Sequence, residues 1–126
     1  KLALDLYGGR ALAHEAMVLA TLRDMPLAPN VHYFSGPYAS LPLLVMDALQ
    51  GSTLEETFRH PDAEGPGLQA AQIADALLRG VDRCHQQQVL ILGLCPSAVW
   101  VCSPMSGSRV SILDWSSAER FGAESP

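Results

Sequence analysis

Residues 68–87, LQAAQIADALLRGVDRCHQQ, run without a proline and set Ile73, Leu77 and Val81 on one stripe, with Ala70, Ala74 and Leu78 beside it. Such spacing specifies a long amphipathic helix, and an apolar stripe of that length must be covered by something else in the chain. The rest of the sequence decides what covers it. Residues 10–24 repeat the pattern with Leu12, Ala16, Leu19 and Ala20, widened by Met17, Val18 and Leu22, and Pro26 and Pro29 forbid continuation. The other apolar runs are short. LALDLY at 2–7 alternates around one acid and reads as a strand, broken by Gly8-Gly9. Strands are expected at 31–34 and 43–47, separated by SGPYASLP. In QGSTLEETF, Ser52 or Thr53 can cap a short helix whose first turn holds Glu55 and Glu56. HPDAEGPG reads as a loop, and SPMSGS as the turn of a hairpin between strands at 99–102 and 110–113. The order strand, helix, two strands, short helix, long helix, hairpin is an α+β arrangement.

Composition narrows the function. The chain has 126 residues, 48% hydrophobic, enough apolar content to bury a core. A net charge of −5 with eight unclustered Lys and Arg gives no footprint for nucleic acid or an anionic membrane. The longest nearly uncharged run, 39–46, falls far short of the roughly 18 residues of a membrane span, and no leader pattern opens the chain. Cys84, Cys95 and Cys102 are odd in number and lack CxxC spacing, which argues for a reducing, cytoplasmic setting and against a disulfide framework. A zinc site from Cys84, His85, Cys95 and Cys102 lacks finger-like spacing, so buried thiols are the simpler reading and no metal is expected.

Four segments carry a resemblance. RALAHEAMVLATLRD contains Glu15; LLVMDALQGSTLEETF contains Met46, Asp47 and Leu49; VDRCHQQQVLILGLCPSAVWV leads into a strand; VSILDWSSAERFG contains Asp114. In this order and spacing they resemble the middle of a protein kinase domain, whose signature is a Gly-rich loop, a V-A-I-K lysine, a helix glutamate, H-R-D-x-x-x-x-N and D-F-G. The resemblance implies a two-lobed fold, with 1–47 a partial N-lobe and 48–126 a partial C-lobe. It also implies that the chain is incomplete for that fold at both ends, without the Gly-rich loop and the late C-lobe helices. Glu15 stands at the ion-pair glutamate, Met46 at the gatekeeper, Asp47 to Leu49 at the hinge that reads adenine, and Asp114-Trp115-Ser116 at D-F-G.

The departures fall where chemistry is done. Ile91-Leu92-Gly93 stands at H-R-D, Cys95 at a frequent loop lysine, and Ala98 at the magnesium-binding asparagine. Gly93 cannot accept a proton and Ala98 cannot ligate a metal. Matching LALD to V-A-I-K puts Asp5 in the lysine's place, facing Glu15 with like charge; the alternative register makes Lys1 the lysine. The first register is preferred, which leaves Glu15 solvated or bound to a backbone amide. Asp114 then reads as a carboxylate capping a turn, His85 as a packing and hydrogen-bonding residue, and Trp100 and Trp115 as core or inter-lobe packing. The expectation is a catalytically inactive pseudokinase, with no cofactor, serving as a protein-interaction scaffold or allosteric regulator in signalling, possible as a homo- or heterodimer. Cys95 and the Leu- and Ala-rich style resemble the PEAK/Pragmin scaffold group. Two alternatives stand beside it: a nucleotide-binding regulatory pseudokinase, and a weakly active atypical kinase using Lys1, Glu15 and Asp114.

Overall fold

Asp5 decides where the first helix starts. Its extended backbone (φ −146°, ψ 175°) and a carboxylate accepting from Gly8 N at 2.6 Å make it the N-cap of α1 (Leu6–Thr21). The strand expected at 2–7 is therefore corrected: residues 1–3 are extended, and helix begins at Leu6. A capping aspartate satisfies an orphan helical N–H, which a strand could not use it for. The two glycines expected to break the chain lie inside this helix. Gly9 allows close approach, since a Cβ there would stand 2.9 Å from Pro37 O.

The computed structural model describes residues 1–59, 66–102 and 109–122; of the loop expected at 60–67, residues 60–65 lie outside them and Pro66 and Gly67 already belong to a helix, and the turn SPMSGS also lies outside them. After α1 come β1 (Val31–Phe34), β2 (Leu44–Met46), β3 (Ser52–Thr53), α2 (Leu54–Arg59) and α3 (Pro66–Gln86). Then follow β4 (Val89–Leu90), β5 (Val99–Val101), β6 (Val110–Ile112) and β7 (Glu119–Arg120). β1 and β2 pair antiparallel, with Phe34 opposite Leu44. β3-β5-β6 form a second antiparallel sheet and β4 pairs with β7. The mixed helix and strand order matches expectation apart from the first strand. The two-residue strands β3, β4 and β7 are additions.

Both helices turn their stripes inward. On α1, Leu12, Val18 and Leu19 are buried, as is Leu22 just past its end, whereas Ala20 of the expected stripe faces outward and Met17 is 48% exposed and does not widen the core face as expected. Asp24 at φ 62° and the prolines beyond it end the run. On α3, Ile73 and Cys84 are buried and Leu77 and Val81 half-buried, but Ala74 and Leu78 face outward, Leu78 at 69%. The stripe is narrower than the sequence suggests; α3 rests on Leu27 at Gly80, where a Cβ would meet the leucine side chain at 2.8 Å.

One buried cluster joins α1, Leu44, Ile73, Val89, Val99, Ile112 and Trp115. Residues 111–118 stitch it to α1 and to the connection after it. Ile112 N donates to Leu27 O at 2.9 Å, Ser111 Oγ to Pro26 O at 3.3 Å, and His14 Nε2 to Ala118 O at 2.5 Å. Trp115 is fully buried, its indole Nε1 donating to Ile112 O at 2.8 Å. Among the described residues, no helix is long and apolar enough to cross a membrane.

Candidate functional site

Residues 1–3 lie against the start of β2. Leu44 N donates to Lys1 O at 2.9 Å, Ala3 N donates to Pro42 O at 2.9 Å, and Leu2 bridges Leu43. This holds the Lys1 side chain opposite the middle of α1. Glu15 sits there, in the same stripe as Leu12, Leu19 and Leu22, and is only 1% exposed. A carboxylate so buried needs partners. It has two: Trp115 N donates to Oε1 at 3.1 Å, and Lys1 Nζ forms an ion pair with the same oxygen.

This corrects two expectations. Asp5 does not face Glu15 from a strand, because it is bound to the first turn of α1; Lys1 occupies that place instead. Glu15 does take a backbone amide, as expected, but in addition to an ion pair. Lys1 Nζ also donates to Leu113 O at 3.2 Å and lies 4.0 Å from Asp114 Oδ1. Asp114 accepts from Ser116 Oγ at 2.7 Å and Ser116 N at 2.9 Å, so it does cap a turn. The Ser116 hydroxyl, the Ser116 amide and then Lys1 hold its carboxyl below the ordinary value, against some desolvation. Lys1, Glu15, Asp114 and Ser116 border one open cleft of about 510 Å³, with Gly8 and Leu12 as its wall.

The loop between β4 and β5 is built without acid or base. Gly93 has φ +70°, a left-handed conformation that glycine adopts freely, and a Cβ there would lie 3.3 Å from Ser117 Oγ. That hydroxyl is engaged, donating to Leu92 O at 2.7 Å. Cys95 Sγ contacts Ser97 Oγ at 3.3 Å, and this contact first, then backbone amides, lowers the thiol's pKa. Ala98 acts through its backbone alone, its N donating to Cys95 O at 3.0 Å and its O accepting from Leu113 N at 3.0 Å.

The hinge residues are not gathered into the Lys1 cleft. Met46 is half-buried and pairs with Val31. The Asp47 carboxylate accepts from Asn30 N at 2.9 Å and His32 Nε2 at 2.6 Å, and these bonds, the Asn30 amide foremost, lower its pKa. Asp47, Ala48 and Leu49 instead line a separate cleft with Cys102, Arg109 and Ser111. His85 is exposed and its ring meets Phe121 edge-on, 6.5 Å between centroids. Trp100 is half-buried, and its indole Nε1 has no partner among the described residues. Cys84 is buried, Cys95 exposed and Cys102 between, and no group of three metal-binding side chains is found among the described residues.

This arrangement of α1 against short strands, a long α3 and a paired β5-β6 is a protein-kinase-like fold. A solved structure it matches is the Cydia pomonella granulovirus kinase PK-1, with a TM-score of 0.68 and 16% identity over 87% of this chain and 39% of that one. The chain thus spans well under half the length of the kinase it matches. No family model and no curated protein matches the sequence. The narrower likeness to the PEAK/Pragmin group finds no support here; Cys95, its main residue, is part of the Cys95–Ser97 turn.

Proposed function

We propose that this chain is part of a pseudokinase, in which 1–47 and 48–126 correspond to portions of two lobes and phosphate is not transferred. The observation that carries the reading is the loop at Gly93 and Ala98. Phosphoryl transfer needs a carboxylate to position and deprotonate the acceptor and paired ligands to hold magnesium. Gly93 offers no side chain, its left-handed φ would strain any replacement, and the neighbouring Ser117 hydroxyl is occupied. Asp114 alone, without a ligand at Ala98, does not fit a two-ligand magnesium site. The function left to the fold is binding: a scaffold or allosteric regulator for partner proteins in signalling, in the cytoplasm, as a homo- or heterodimer. Exposed Leu4, Tyr7 and Tyr38, at 85%, 82% and 83%, support a protein-binding surface.

A second reading rests on the Lys1–Glu15–Asp114 cleft. A lysine fixed by a buried glutamate beside a carboxylate is the part of the kinase site that grips phosphates. A regulatory module that binds a nucleotide without consuming it therefore stands as the alternative. Thermal melting with ATP, with and without magnesium, separates the two. No shift at millimolar ATP supports the scaffold; a magnesium-independent shift lost in Lys1→Gln supports the nucleotide module. Radiolabelled phosphotransfer that disappears in Asp114→Asn would overturn both and restore the enzyme.

A further inference from the structure

We infer that the cleft between the connection after α1, the middle of α3 and the start of β6 binds a small organic oxyanion with a short apolar body. The chain is acidic, with a net charge of −5 and eight Lys and Arg, yet Arg79, Arg83 and Arg109 border this one cleft of about 200 Å³. Arg79 is neutralised by Asp75, which its Nε meets at 2.9 and 3.0 Å. The side chains of Arg83 and Arg109 have no ion-pair or hydrogen-bond partner among the described residues, and the neighbouring segment 103–108, SPMSGS, contains no acid to form an ion pair with them.

Arg83 and Arg109 thus bring two uncompensated cations to the cleft from different elements. Such convergence is unfavourable in an empty cleft and favourable around an anion. A guanidinium fork suits a phosphate or carboxylate, to which it gives parallel hydrogen bonds.

The floor of the cleft is apolar. Met25, Pro26 and Ala76 line it, over the buried Leu27 and Val110. A ligand with an oxyanion head and a single ring or short chain would place the head on Arg83 and Arg109 and the body on Met25, Pro26 and Ala76. Apolar walls with a few convergent polar groups are the usual make-up of small-molecule sites. The cleft is distinct from the one at Lys1: the two have no lining residue in common.

Phenyl phosphate is the probe, titrated into the isotopically labelled chain and followed by amide chemical shifts. Saturable binding is expected, at least about tenfold tighter than inorganic phosphate or benzyl alcohol, because head and body are held together. The shifts should centre on residues 76–83 and 109–111. The Arg83→Gln/Arg109→Gln variant should bind at least about tenfold more weakly, with an unchanged urea midpoint because both side chains are exposed. Arg83→Lys, which keeps charge without the fork, should fall between. Equal affinity for inorganic phosphate, undiminished binding by the double variant, or shifts centred on Lys1, Glu15 and Asp114 would each overturn the assignment.

Discussion

Replacing Glu15 separates two roles that its carboxylate combines. In Glu15→Ala, Trp115 N loses its acceptor in a fully buried setting, a cost of about 1–3 kcal/mol. The one lost methylene adds roughly 0.8 kcal/mol. Losing the Lys1 partner contributes little more than about 0.5 kcal/mol, because the lysine side chain is 30% exposed and can rehydrate. The sum is about 2–4 kcal/mol, large beside ordinary domain stabilities. Glu15→Gln keeps the volume and an oxygen for Trp115 N and loses only the ion pair, so about 0.5 kcal/mol is expected. Urea unfolding followed by tryptophan fluorescence and circular dichroism measures both, since Trp115 is fully buried. A loss below about 0.5 kcal/mol in Glu15→Ala, or equal losses in the two variants, would refute the view that the buried glutamate is chiefly an acceptor for the Trp115 amide.

Three further outcomes are expected. Burial pushes the Cys84 thiol up to about 11, whereas Cys95 is exposed with a lowered pKa. A thiol reagent at neutral pH should therefore label Cys95 first and Cys84 only on unfolding, as mass spectrometry would report. Gly51→Ala should cost about 2–4 kcal/mol, because Gly51 has φ +111° and a Cβ there would overlap Val101 O beside the β3–β5 pairing; a thermal midpoint unchanged within error would refute this. Asp114 has a folded pKa below its ordinary 3.8, so its contribution is present above pH 3.8 and lost as pH falls through the lower folded value. Ser116→Ala removes the largest cause, so the carboxyl titration followed by carbon NMR should move up and acid unfolding should begin at a higher pH; an unmoved titration would sink the assignment.

Much of the fold is legible because long periodic segments announce themselves. The α3 stripe of Ile73, Leu77 and Val81, and the prolines that stop the chain after α1, need only local physics. Residues 2–7 mislead for an equally local reason. LALDLY alternates like a strand, yet Asp5 spends its carboxylate on Gly8 N, and a helix start outcompetes an edge strand of that length. β3, β4 and β7 escape notice because two-residue strands exist only through distant partners, as Val89 with Arg120. In the site, Glu15 and Asp114 are recognisable by their segments. The role of Lys1 is not, since its pairing depends on where a strand ends and a cap begins, a matter of one turn that composition does not fix. The arginines around Leu27 are invisible to any linear reading, because Arg109 borders the same cleft as Arg83 only through the packing of β6 on the connection after α1.

That same packing makes α1 a clamped strut. Glu15 and His14 are fastened to Trp115 and Ala118 near its middle, and Leu27 and Pro26 to Ile112 and Ser111 beyond its end. The first grip is on the helix itself and the second on the connection that follows it. Displacing α1 must carry residues 115–118 with it or rupture the Glu15 and His14 hydrogen bonds, so movement of the helix is coupled to the Asp114 turn.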